Sequence, residues 1–195
     1  MPVKSFGHRI LGVDPGTQFL GFALIEPLSD EIRILAMDTI RLKDAGDHQD
    51  KLREIFLQLQ ELIEAYRPGQ MAIEAPFYGK NVQAMLKLGR AQGVAIAAGI
   101  TMGLEIHEYS PKRIKQAVTG NGNAAKEQVA AMLSHILKKP VQADRFDATD
   151  ALACAICHHQ QGHSHAPPPG RGKKYNSWKG FLDENPGRAA KPHRA

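Results

Sequence analysis

The chain has 195 residues, 43% of them hydrophobic, which is enough for one domain with a full core; its two cysteines are too few for a disulfide framework. No apolar run approaches the ~20 residues that span a bilayer, and residues 1–9 lack the apolar stretch of a signal peptide, so the expectation is a cytoplasmic protein with no membrane partner. The net charge of +5 comes wholly from the end of the chain: residues 1–161 carry 18 basic and 18 acidic side chains, residues 162–195 carry 7 and 2, so any nucleic-acid argument has to rest on local basic clusters.

Ile10 to Val13, Phe19 to Ile25 and Ile32 to Ile40 read as three strands, with turns at Gly16, Pro27 and Ser29-Asp30, and their succession predicts an antiparallel meander. Leu52, Ile55, Phe56, Leu59, Leu62, Ile63 and Tyr66 recur at helical steps, and Pro68-Gly69 is expected to end that helix. Met71 to Ile73 is a buried strand opening onto Glu74. From Asn81 to about Ile100 runs a long helix whose small residues, among them Ala84, Gly89, Ala91, Gly93, Ala97 and Ala98, suit either a dimer contact or close core packing. Glu105 to Tyr109 is a strand, Pro111 starts a short helix, and Lys126 to Leu137 and Ala148 to Gln160 are two more. Residues 162–195, with Pro167-Pro168-Pro169-Gly170 and few aliphatics, read as a disordered basic tail that either touches phosphates non-specifically or only solubilises.

Acidic residues stand where apolar elements stop. Asp14 follows Ile10-Leu11-Gly12-Val13, Glu74 follows Met71-Ala72-Ile73, and Asp147 and Asp150 open the last helix on a shared face. A carboxylate at a buried strand end is costly to ionise unless a cation neutralises it, and Mg²⁺ prefers such oxygens. A pocket of this kind suits two metals ~3.5–4 Å apart working on a phosphodiester. Each residue also has a plainer reading: Asp14 begins a turn, Asp147 caps a helix, Asp150 favours the helix dipole. Glu74 in Ala-Ile-Glu-Ala-Pro has no turn that calls for it. Separately, Lys112, Arg113, Lys115 and Lys126 form a basic cluster over residues 111–126 with no acid among them.

These residues resemble the RuvC family of crossover (Holliday) junction endodeoxyribonucleases. Over residues 9–160 the resemblance is carried by Gly12-Val13-Asp14-Pro15-Gly16-Thr17 with Gly21, by Ala72-Ile73-Glu74 with Phe77, Lys80 and Asn81, and by Leu86-Lys87-Leu88-Gly89-Arg90-Ala91-Gln92-Gly93. It continues through Pro111-Lys112-Arg113-Ile114-Lys115, Gly120, Gly122, Ala124 and Lys126 to Asp147-Ala148-Thr149-Asp150-Ala151-Leu152-Ala153. The resemblance implies an α/β RNase H-like fold, a five-stranded mixed sheet flanked by helices, in a nuclease domain over residues 1–161. It implies Asp14, Glu74 and Asp147 as catalytic and, with Asp150, as ligands of two Mg²⁺ per site, for which Mn²⁺ can substitute. It further implies a homodimer that makes paired symmetric nicks in four-way junction DNA, in recombination and repair. The nicks leave 5′-phosphate and 3′-hydroxyl ends, and a RuvA-RuvB branch-migration complex is the implied partner. Phe77 matches an aromatic placed at the junction centre, and Lys80, Lys112, Arg113, Lys115 and Lys126 are DNA-binding candidates.

Other readings compete. The Asp14-Pro15-Gly16-Thr17 turn also resembles the phosphate-binding turn of actin-like ATPases, although those chains carry a second lobe. An RNase H-like nuclease acting on structured RNA and a junction-binding protein without cleavage are the alternatives within the fold. Cys154-Ala155-Ile156-Cys157-His158 fits a haem-attachment pattern and, with His159, His163 and His165, a zinc site; the expectation is instead that both cysteines are compact core residues.

Overall fold

A computed structural model describes residues 7–76, 81–141 and 146–162. The strands β1 (Gly7–Asp14), β2 (Phe19–Pro27) and β3 (Ile32–Arg41) come first, followed by α1 (His48–Tyr66), β4 (Pro68–Glu74) and α2 (Val82–Thr101). After them come β5 (Glu105–Tyr109), α3 (Pro111–Thr119), α4 (Lys126–Ile136) and α5 (Phe146–Gly162). The sheet order is β3-β2-β1-β4-β5. β2 pairs antiparallel with both β1 and β3, whereas β4 pairs parallel with both β1 and β5. This is the mixed RNase H-like sheet, and its first three strands are the expected meander. Of the tail expected over residues 162–195, only Gly162, the last residue of α5, lies within the described residues.

The two-residue alternation of the strands sorts the core into two layers. Leu11, Val13, Leu20, Phe22, Leu24, Met71 and Ile73 face α1 and α2. Ile10, Ala23, Ile25 and Ala72 face α3, α4 and α5. A large apolar side chain buried in this way contributes about 1.5–3 kcal/mol. A slip of one residue would turn every one of them to the wrong layer, so the strand register is fixed. Asp14 has the parity of Ile10 and Gly12, and Glu74 that of Ala72. Both carboxylates therefore belong to the α5 side.

Pro68-Gly69 ends α1 as expected and also opens the next strand. α1 stops at Tyr66, Arg67 takes the left-handed conformation at φ 51°, and Pro68 already belongs to β4, paired with Gly7. Sheet pairing outweighs the turn signal here because proline is tolerated as the first residue of a strand. The start of α5 also shifts. It begins at Phe146, so Asp147 lies within the first turn and is not the capping residue.

α5 is the central packing element of its layer. Ala151 to Cys157 are each 0 or 1% exposed, and both cysteines are free and buried, as expected for compact core residues. The helix approaches the sheet closely because two strand residues have no side chain. A Cβ on Gly12 would lie 2.1 Å from the carbonyl oxygen of Ala151, and one on Gly21 would lie 1.9 Å from that of Asp147. α2 divides its small residues between two roles. Ala91, Ala95, Ala98 and Gly99 are buried, whereas Val82, Leu86 and Ile100 are 64%, 52% and 59% exposed on the opposite face. Gly89 and Gly93 lie on that outer face and look into open space. Among the described residues, no helix is long and apolar enough to cross a membrane.

Candidate active site

The acidic residues come together because three elements end at one place. β1 and β4 are parallel neighbours with Val13 beside Ile73, so the next residues, Asp14 and Glu74, leave the sheet side by side. Gly21, the antiparallel partner of Asp14, supports the first turn of α5 at the Asp147 carbonyl. That contact brings Asp147 and Asp150 over the same strand ends. Asp14, Pro15, Glu74, Ala75 and Pro76 line a cleft of about 230 Å³ together with Leu88 of α2 and Pro111 of α3.

Burial and neighbouring charge both act on the acids. Burial, then the charges of Glu74, Asp150 and Asp147, push the Asp14 carboxyl up to about 8, against the pull of Lys126. Burial and Asp150 push Glu74 up to about 7, with Lys126 and Lys115 opposing. Two acids held this far above their ordinary range require either a proton or a cation at neutral pH. Lys126 supplies part of that charge: its Nζ donates to Asp150 Oδ2 at 2.5 Å. Among the described residues, no three Asp, Glu, His or Cys side chains stand close enough together to hold a metal ion without rearrangement. The donor chemistry nonetheless fits a hard divalent cation, because the cluster offers carboxylate oxygens only and two of its acids resist ionisation without a counter-charge.

The basic candidates separate. Lys115 and Lys126 act on the acids, as their effect on Glu74 shows. Lys112 and Arg113 are exposed. The stem of Lys112 lies against Gly122, and the Arg113 charge acts on Tyr109 and Cys157. Phe77 and Lys80 lie outside the described residues.

The Cys-x-x-Cys-His segment has a structural role. His158 stacks on His107 with ring centroids 4.2 Å apart. The Tyr109 hydroxyl and His158 Nδ1 are 2.7 Å apart, and His158 Nε2 and Gln70 Oε1 are 3.1 Å apart. Since Gln70 Oε1 can only accept, Nε2 donates to it and Nδ1 accepts from Tyr109. Burial and the neighbouring His107 push His158 down to about 4, so it remains neutral. His107 Nε2 lies 3.2 Å from Glu105 Oε1 but outside hydrogen-bond alignment, which leaves it buried without a hydrogen-bond partner.

Sequence reasoning missed Phe146, whose ring centroid is 5.9 Å from Lys126 Nζ. It also missed the reason for Gly12 and Gly21. Glycine weakens a strand, so its place inside two apolar strands already signalled a close backbone approach.

Comparison with known proteins adds an independent line. A family model described as crossover junction endodeoxyribonuclease RuvC matches residues 10–158. A protein of that name from Cytophaga hutchinsonii is 50% identical over 184 residues, covering 94% of this chain and 88% of the relative. One from Porphyromonas gingivalis is 49% identical, with 91% of this chain and 94% of the relative covered. Among solved structures, Thermus thermophilus RuvC in complex with Holliday junction substrate superposes with a TM-score of 0.74 at 28% identity, over 80% of this chain and 94% of that one.

Proposed function

The chain belongs to the RuvC family of crossover junction endodeoxyribonucleases, and from that premise we propose that Asp14, Glu74, Asp147 and Asp150 are the acids with which it cuts Holliday junction DNA. The observation that carries this assignment is the placement of Asp14 and Glu74 one residue beyond the parallel partners Val13 and Ile73, both raised by burial and by Asp150 of α5. Membership sets aside the actin-like reading of Asp14-Pro15-Gly16-Thr17, and no observation favours an RNA substrate or binding without cleavage.

In this reading Asp14, Glu74, Asp147 and Asp150 would hold two divalent ions, Mg²⁺ with Mn²⁺ as a substitute. When bound, such ions supply charge neutralisation and Lewis acidity for phosphodiester hydrolysis. The protein's own groups do the positioning. The cleft between β1, β4 and α2 admits one strand's phosphate to the acids. Lys115 and Lys126, already coupled to Glu74, offset charge that develops on the phosphoryl oxygens. Water adds to phosphorus and the bond to O3′ breaks, leaving a 5′-phosphate and a 3′-hydroxyl. Lys112 and Arg113, exposed on α3, hold flanking phosphates and set register on the DNA. Phe77 and Lys80 complete the junction contact, Phe77 by stacking on a base.

The apolar outer face of α2 supports a homodimer. Two copies joined there carry two sites and nick two opposed strands in a paired, symmetric way. A RuvA-RuvB branch-migration complex is the further partner this reading implies.

The test uses the full chain on a synthetic four-way junction, a linear duplex and a structured RNA, in Mg²⁺ or Mn²⁺. The expected result is cutting of the junction alone. Asp14→Asn should lower cutting by more than roughly 100-fold, the upper range for losing an outer-sphere partner, while junction binding persists. Equal loss of binding and cutting in that variant would remove Asp14 from its assigned role, and cutting of RNA would replace the substrate.

A further inference from the structure

Lys126 has a position that helix stability does not explain. It is the first residue of α4, where the positive end of the helix dipole disfavours a cation. Its ammonium finds its partners on another helix. Nζ donates to Asp150 Oδ2 at 2.5 Å and lies 5.9 Å from the centroid of the Phe146 ring. Phe146 and Asp150 are four residues apart on α5, so they share a side of that helix and hold the lysine jointly. Phe146 is 47% exposed, so about half of it is left free of the core. An aromatic face presented to a cation is a favourable electrostatic contact. Burial pulls the Lys126 ammonium down, but its hydrogen bond to Asp150 and the charges of Asp150, Asp14 and Asp147 outweigh this and keep it protonated.

We propose that Lys126, steadied by Phe146, is a tethered cation that occupies Asp150 until a divalent metal displaces it, which makes Phe146 a positioning residue for the acidic site. The proposal rests on reading the four carboxylates as metal ligands. Asp150 exchanges one positive partner for another, and the released ammonium stays close to the acids, free for a substrate phosphate. Two consequences follow from this competition. The free protein binds metal more weakly than its carboxylates alone would allow. A phosphate that draws Lys126 away strengthens metal binding, and by reciprocity metal strengthens phosphate binding.

The experiment follows the midpoint of thermal unfolding of the full chain, without DNA, across Mn²⁺ and Mg²⁺ titrations. Lys126→Met and Lys126→Gln should half-saturate at roughly three- to tenfold lower metal concentration than the unsubstituted protein, the factor that loss of a competing ion pair gives. Phe146→Leu should move the midpoint in the same direction by a smaller factor, and Phe146→Trp should restore it. In an Asp150→Asn background, Lys126→Met should bring no further gain. An unchanged midpoint in Lys126→Met overturns the proposal. So does a gain that persists undiminished beside Asp150→Asn, because that is general charge repulsion without competition at Asp150. If the unsubstituted protein itself shows no metal-dependent shift, the carboxylate reading fails first and the lysine proposal falls with it.

Discussion

At the scale of single residues, the acids make the metal-free protein sensitive to pH in an unusual direction. A folded Asp14 that titrates near 8, against 3.8 unfolded, binds a proton more tightly in the native state. Glu74 behaves alike between 4.5 and about 7. Their contribution is therefore intact below about pH 4 and is lost as pH rises through 8. His158 opposes them lower down: held near 4 against 6.5, it adds stability as pH rises through that interval. The window from 6.5 to 8 isolates the carboxylates. Denaturant unfolding with a chelator should show stability falling across it, and Asp14→Asn should flatten the fall. Divalent metal should raise the melting temperature more at pH 8 than at pH 6.5. Tyr109→Phe leaves His158 Nδ1 without its donor and should cost about 1–3 kcal/mol in the same assay. The acids were legible in the sequence because a charge that ends an apolar run is a local anomaly. The Lys126–Asp150 pair was not, because its members are 24 residues apart and each is ordinary in its own segment.

At the scale of elements, α5 depends on the bare backbone beneath it. Gly12→Ala would place a methyl 2.1 Å from the Ala151 carbonyl, and Gly21→Ala would place one 1.9 Å from that of Asp147. Each should destabilise by about 1–3 kcal/mol, read by denaturant unfolding, and should reduce junction cutting more than junction binding, since the helix that moves carries two of the acids. The strands and helices were largely legible, for identifiable reasons. The meander is bounded by turn residues at Pro15–Gln18 and Leu28–Glu31, and α3 is framed by Ser110, which caps it, and Gly120 at φ 75°. The start of β4 was not legible, because Pro68-Gly69 carries a turn signal and only pairing with β1 makes a strand of it. The first residue of α5 was misplaced for a related reason: Phe146 begins the helix although it lies outside the small-residue pattern that marks the rest.

At the scale of the whole molecule, the proposed homodimer is assigned to the outer face of α2. Val82, Leu86 and Ile100 are exposed, and Gly89 and Gly93 between them face open space, the room that the proposed contact of two backbones requires. Leu86→Lys or Gly93→Glu should yield a folded monomer by sedimentation, with an unchanged unfolding midpoint at low protein concentration and with paired nicking replaced by single nicks. A dimer of unaltered affinity would place the contact elsewhere. The sequence showed small residues along this helix but not their division between the two faces, because that division depends on where α1 and the sheet lie.

Chain order has a further effect. Asp14 and Glu74 are synthesised early, Asp147 and Asp150 only in the last described helix. A polypeptide still emerging from the ribosome, or one cut short by a premature stop before residue 147, carries two of the four acids proposed for cutting and lacks the helix that fills one layer of its interior. On that assignment, competence to cut arrives only once the last described helix is in place.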